Sequence, residues 1–176
     1  MTAQEHPVEQ LLGEIMRAAN PHSPDRGMLA CLRRGLGEAT EPYAWPYLAP
    51  YCDLTDPREK AIWAFAAGAA ATLCPDGLVR ERIGNMGATM RKLAVGDNTK
   101  EADASLNSFK ARFHRLLTCR IAEELCLHLV PVVRAAQAKG VPVDVRRLFW
   151  DLRKWETHNI RLEWAQGYWG VPKGED

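Results

Sequence analysis

The chain has 176 residues, 47% of them hydrophobic and 26% charged, and a formal net charge of +1. This fits a soluble globular protein of one domain or two small helical lobes, and a bulk charge so close to zero names no partner by itself. The distribution of charge says more: residues 1–57 hold 4 basic and 8 acidic side chains, residues 58–176 hold 19 and 14, and the window from Ser105 to Arg120 holds four basic residues and no acidic one.

Residues 7–19 open with proline and stop before Asn20-Pro21, which predicts a first helix. Ser23-Pro24 then reads as an N-cap with proline at the first helical position, leading into "DRGMLACLRRGL", which Gly35 and Gly37 end. Residues 40–55 carry three prolines and four aromatics (Tyr43, Trp45, Tyr47, Tyr51), the composition of a short helix or turn on the surface of the core. "DPRE" (56–59) has the form of a capping box, with Asp56 as cap and Glu59 three residues on. The alanine-rich helix it opens stops at Cys74-Pro75, and its small residues predict close helix–helix approach.

A glycine-containing loop follows, then a short helix "ATMRKLA". The polar connector "VGDNTKEAD" (95–103) is the expected boundary between an N-terminal lobe, 1–95, and a C-terminal lobe, 96–176, with the two forming either separate lobes or one composite domain. Residues 104–118 form the next helix. The segment 119–139 continues it, with Pro131 expected to force a kink or restart and Gly140 to stop it. Asp144 caps a helix in which Val145, Leu148, Phe149, Leu152 and Trp155 share one apolar stripe. Arg147, Trp150 and Lys154 fall opposite that stripe, Arg146 and Arg153 on one flank, Asp151 on the other. A last helix spans about 159–169, and the tail is expected to fray. Signals for β-structure are scarce, so the expected fold is all-α.

Five cysteines with no CxxC pair, and a start without the basic and apolar regions of a secretory leader, predict reduced thiols in a cytoplasmic protein. The longest mostly apolar run, "AIWAFAAGAAATLC", is too short and too rich in alanine to span a bilayer. No histidine or cysteine grouping has metal spacing, and no phosphate loop or dinucleotide fingerprint occurs. Cys119 and His128 lie nine apart, off a common helical face. No catalytic residue, metal or cofactor is therefore expected.

The basic residues form a clearer pattern. In the helix of 104–118 an apolar stripe of Leu106, Phe109, Phe113, Leu116 and Leu117 leaves Arg115 pointing away, Lys110 and Arg112 on the shoulders and Arg120 just past the end. Arg33 and Arg34 lie off the core face of their helix, and Arg91 and Lys92 add a third pair. Basic residues spread over several helices, with tryptophan or tyrosine nearby, suit contact with backbone phosphates, although such faces are commonly only solvated. Trp150 has three readings: stacking on a base, filling a partner's pocket, or half-cover by a neighbouring helix.

The segments "LRRGLG" (32–37), "NMGATMRKL" (85–93), "KARFHRLL" (110–117), "AEELCLHL" (122–129) and "VDVRRLFWDLRKWE…RLEWAQGYW" (143–169) occur in that order. Together they resemble the CasB family, the small subunit of the type I-E CRISPR Cascade complex. The resemblance covers about residues 26–169. It implies two packed helical lobes, no catalytic activity and two head-to-tail copies along the complex. It further implies contact with the guide-RNA backbone subunits, and a grip on target and displaced DNA strands through basic residues. Carried over, the "LRRG" arginines are Arg33 and Arg34. The "RRF"-type pair is Lys110 and Arg112, with lysine replacing an arginine and losing its bidentate fork. The arginine after the "EEL" run is replaced by His128, which puts a phosphate contact there in doubt at neutral pH. Asp151 and Trp155 belong to the family motif; Trp150 does not.

The expected function is thus non-enzymatic, sequence-independent binding of guide RNA and of target and displaced DNA strands, stabilising the R-loop. The expected contacts are Arg33, Arg34, Arg91, Lys92, Lys110, Arg112, Arg115, Arg120, Lys154 and Arg161, with Trp150 as a stacking or interface residue. The expected partners are the backbone and large subunits of Cascade and a second copy of the chain, with no membrane. The alternative is a helical adaptor that touches only proteins. A cysteine hydrolase would need a Cys–His contact that spacing does not predict.

Overall fold

The computed structural model describes residues 6–77, 83–96 and 102–170. Nine α-helices account for most of these: α1 (Pro7–Ala18), α2 (Arg26–Arg34), α3 (Trp45–Leu48), α4 (Pro57–Leu73), α5 (Met86–Val95), α6 (Ala102–Thr118), α7 (Ala122–Lys139), α8 (Val145–Lys154) and α9 (Ile160–Trp169). A 3-10 segment, Glu38–Tyr43, leads into α3. No strand occurs among the described residues, and the chain is all-α. None of their helices is long and apolar enough to cross a membrane. Residues 97–101 of the polar connector and 171–176 of the tail lie outside the described residues.

Helix starts follow local chemistry, with two departures from expectation. Asp56 caps α4 by accepting from the backbone N–H groups of Arg58 and Glu59. Glu59, however, does not close a capping box; its carboxylate accepts from the Trp63 indole at 3.1 Å and from Arg153 at 2.7 Å. The cap of α2 is Asp25, whose Oδ1 accepts from Met28 N–H at 2.9 Å, not Ser23, so the helix starts after Pro24 instead of on it. Asn85 and Asp144 cap α5 and α8 in the same manner. Pro131 sits within an uninterrupted α7, where no restart occurs. It is exposed, as is Leu127 one turn earlier, so water can reach the carbonyl that loses its donor. Gly140 ends α7 in the left-handed conformation, φ 65°, as a C-cap glycine does.

The centre of the molecule is α4. Every residue from Ile62 to Ala71 is buried, so this helix is packed on all sides. It rests on α1, α2, α7 and α8, while α5 packs on α6, α7 and α9. One continuous apolar core therefore draws on both halves of the chain, with Trp63, Phe113, Phe149, Trp155, Trp164 and Tyr168 as its largest members. Two glycines set close crossings. A Cβ at Gly68 would meet Leu36 Cγ at 2.6 Å, and one at Gly87 would collide with the backbone carbonyl of Trp164.

Helix C-termini leave carbonyls without intrahelical donors. Here, cations from other elements supply several of them. Arg33 Nε donates to Ala71 O of α4 at 2.9 Å, Lys139 to Leu93 O of α5 at 3.1 Å, Arg58 to Arg153 O of α8 at 2.7 Å, and Arg91 to Tyr168 O of α9 at 2.8 Å. Just beyond α6, Arg161 donates to Cys119 O at 2.7 Å. Each contact also places positive charge at the negative end of a helix dipole.

Candidate nucleic-acid interface

The rotation of α6 is fixed by its buried face. Leu106, Phe113 and Leu116 point into the core, and Phe113 stacks on Tyr168 with ring centroids 4.2 Å apart. The Tyr168 hydroxyl donates to Leu106 O at 2.9 Å. Lys110, Arg112 and Arg115 consequently face outward and are exposed, and none forms an ion pair among the described residues. Arg112 lies over the Phe109 ring at 5.3 Å. At the helix end the Arg120 side chain is exposed while its backbone N–H donates to the Glu124 carboxylate at 3.1 Å.

On one shoulder of α6 a groove of about 550 Å³ runs between α5, α6 and α7. Its walls include Leu93, Phe109 and Val132, and Arg112, Arg115 and His128 all reach it. The half-buried His128 thus joins two of the predicted basic residues, an arrangement the spacing along α7 does not reveal. On the other shoulder the ring of Trp169, 41% exposed, meets His114 edge-to-face at 5.4 Å. Lys110 lies one turn before His114 on the same side of the helix. Trp169 closes the "RLEWAQGYW" segment, but it stands next to the buried Tyr168 at a helix end, where period assigns it no face.

The remaining predicted basics are scattered. Arg33, Arg91 and Arg161 each give a donor to a backbone carbonyl, as described above. Arg34 stacks over the exposed ring of Tyr43 at 4.7 Å. Lys92 is exposed on α5 and Lys154 on α8. No single surface among the described residues unites all ten; the α6 residues form the densest group.

Trp150 is half-buried. The His6 ring, which also caps α1 through Nδ1, meets it edge-to-face at 4.5 Å, and Phe149 meets it at 5.4 Å. Beside it lies a polar hollow of about 520 Å³. Arg147 and Lys154 in that hollow are offset by Asp144, Asp151 and Glu163, and Arg147 pairs with Glu163 at 3.4 Å. Asp151, placed on a flank by its spacing, is buried. Its carboxylate is pushed up to about 6 by burial, against the opposing effects of its hydrogen bond from Trp164 and the Arg147 charge.

Cys119, Glu124 and His128 are brought together at the corner between α6 and α7, with their ligand atoms all within 4.8 Å of one another. Spacing along one helix did not predict this, because the three residues straddle a chain reversal. The Cys119 thiol donates to Arg115 O at 3.2 Å, and burial, aided by the Glu124 charge, raises its pKa. Burial of this kind disfavours the thiolate form. All five cysteines are free.

Fold and surface together define an all-α protein with a basic helix face, free of ion pairs among the described residues, beside an apolar groove. The family model for CRISPR-associated protein Cse2 matches residues 28–169. The chain belongs to this family, the CasB small subunits of the type I-E CRISPR Cascade complex. No curated protein and no solved structure matches the chain.

Proposed function

We propose that this protein serves as a non-enzymatic Cascade subunit in the cytoplasm, holding guide RNA and the target and displaced DNA strands without reading sequence, and so stabilising the R-loop. In RNA-guided complexes base pairing supplies sequence specificity, while protein contacts act on backbone and shape. The observation that carries this reading is the outward face of α6. Lys110, Arg112 and Arg115 stand there without ion pairs among the described residues, and His128 lines the groove with Arg112 and Arg115. Cations left unpaired in the fold release counterions when they meet phosphates. Its partners would be the backbone and large subunits and a second copy of the chain. The division at 95/96 is proposed as two lobes of one composite domain, since α4 and α5 pack against α7, α8 and α9.

The test is a Lys110, Arg112, Arg115 to alanine triple variant. Exposed basic side chains usually contribute under ~0.5 kcal/mol to stability, so the variant should stay folded. It should assemble with partner subunits and hold single-stranded DNA poorly, with the salt slope reduced by roughly 0.7 per lost contact. Binding equal to wild type at every salt concentration would remove α6 from the interface. The adaptor alternative would then lead. It draws support from Ile121, Leu127 and Leu162, which are 48%, 62% and 68% exposed and suit a protein contact.

A further inference from the structure

We propose that Cys119, Glu124 and His128 form a binding site for a divalent zinc-type cation at the α6–α7 corner. Glu124 and His128 are four residues apart in the first turns of α7 and so share one face. The short junction after Thr118 turns the chain back and brings the Cys119 thiol onto that face, which places the three ligand atoms within 4.8 Å of one another. Thiolate, imidazole and carboxylate are the donors that zinc takes, and three protein ligands leave a fourth position for water.

Zinc–ligand bonds of about 2.0–2.3 Å separate tetrahedral ligand atoms by roughly 3.5 Å, so the cluster has to contract by at most about 1.3 Å from separations within 4.8 Å. The side chains that can move are the exposed Glu124 and the half-buried His128, whereas Cys119 is buried and fixed. One Glu124 oxygen accepts from Arg120 N–H at 3.1 Å, and a carboxylate has a second oxygen for the ion. On binding, the Cys119 S–H bond breaks, an S–metal bond forms, and the proton leaves to solvent. The thiolate and the carboxylate then match the two charges of the cation, and the hydrogen bond from Cys119 to Arg115 O is given up. The ion would pin the end of α6, which carries Arg115, to the start of α7. This site is independent of whether α6 touches nucleic acid.

The experiment uses the full-length protein, stripped with chelator and titrated with Co²⁺ and then Zn²⁺. The expected result is one Co²⁺ per chain with a near-ultraviolet thiolate-to-cobalt band that Zn²⁺ displaces. Cys119→Ala should abolish that band, and Cys126→Ala should preserve it. Glu124→Gln and His128→Ala lie at accessible positions and should leave the fold intact. Each should weaken Zn²⁺ binding by more than the roughly 10–100-fold that loss of a merely supporting residue costs. The absence of a thiolate band, a band that survives in Cys119→Ala, or Zn²⁺ affinity unchanged in both Glu124→Gln and His128→Ala would overturn the site.

Discussion

The Asp151 carboxylate accepts a hydrogen bond of 2.7 Å from the indole Nε1 of Trp164, thirteen residues further on, and both side chains are buried. This contact ties α8 to α9, and it joins the segments "VDVRRLFWDLRKWE" and "RLEWAQGYW" physically. Trp155, from the first segment, packs against Trp164 at 4.9 Å and donates its own indole N–H to Cys119 O at 3.0 Å. The pair carries a cost. Burial holds Asp151 near 6 instead of its ordinary 3.8, with Glu163 and Asp144 adding to the rise and Trp164 and Arg147 opposing it.

An acid whose folded pKa is raised binds its proton more tightly when folded than when unfolded. Its contribution is therefore most favourable below pH ~4 and is lost as the pH climbs through about 6. A shift of that size corresponds to something on the order of 3 kcal/mol. Asp151→Asn keeps an oxygen to accept from Trp164 and removes the titration. The variant should match or exceed wild-type stability at pH 7.5 and lose its relative advantage at pH 4.5, measured by urea denaturation. A wild-type-minus-variant difference that is flat across that range would place Asp151 at an ordinary pKa.

Adjacent cations on α5 should behave differently. Arg91 donates to the last turn of α9, whereas Lys92 is exposed with no ion pair among the described residues. Hydrogen bonds from charged groups contribute about 1.5–3 kcal/mol, so Arg91→Ala should lower stability by an amount in that range. Lys92→Ala should change stability by less than ~0.5 kcal/mol. Equal effects from the two substitutions would show that the α9 contact contributes nothing.

The pairing of cations with helix ends also explains how far the sequence could be read. Helix positions were legible because caps, prolines and apolar stripes are local, and Asp56, Asp144 and Gly140 act within a few residues of themselves; the Asn85 cap, which starts α5 at Met86 instead of Ala88, was missed among the neighbouring glycines. The acceptors of Arg33, Arg91 and Arg161 lie 38, 77 and 42 residues away, so no local pattern separates these arginines from those left facing water. The same holds for Glu59, diverted from its expected cap by Arg153, and for Cys119 and His128, which meet only because the chain reverses between α6 and α7. The stripe on α6 was legible, and with it the outward direction of Lys110, Arg112 and Arg115.

Gly87 tests a close helix crossing. It lies in the first turn of α5, and a Cβ there would collide with backbone atoms of Trp164, which cannot move aside as a flexible side chain could. Overpacking of this kind typically costs 1–3 kcal/mol or more. Gly87→Ala should therefore lower the melting temperature and loosen α9, whereas Gly13→Ala should not, since a Cβ at Gly13 has nothing within 4 Å. A fully stable Gly87→Ala protein would mean that α5 and α9 can separate at little cost.

Trp150 and Trp169 sit in different surroundings. The Trp150 ring is in contact with His6 and Phe149, and the hollow beside it balances cations with carboxylates. The Trp169 ring is 41% exposed, meets Phe113 edge-to-face at 5.2 Å, and stands next to His114 on the basic helix. A base stacking on an aromatic face contributes about 1–3 kcal/mol and leaves the count of phosphate contacts unchanged. Trp169→Ala should therefore weaken single-stranded DNA binding by that amount with no change in salt slope, and with a smaller effect on melting temperature than Trp150→Ala. Trp150→Ala should lower stability, because it strips packing from α1 and α8, and leave affinity near wild type. If instead Trp150→Ala loses affinity at constant salt slope while Trp169→Ala binds normally, the stacking platform lies on α8, and bases approach from the side of α1.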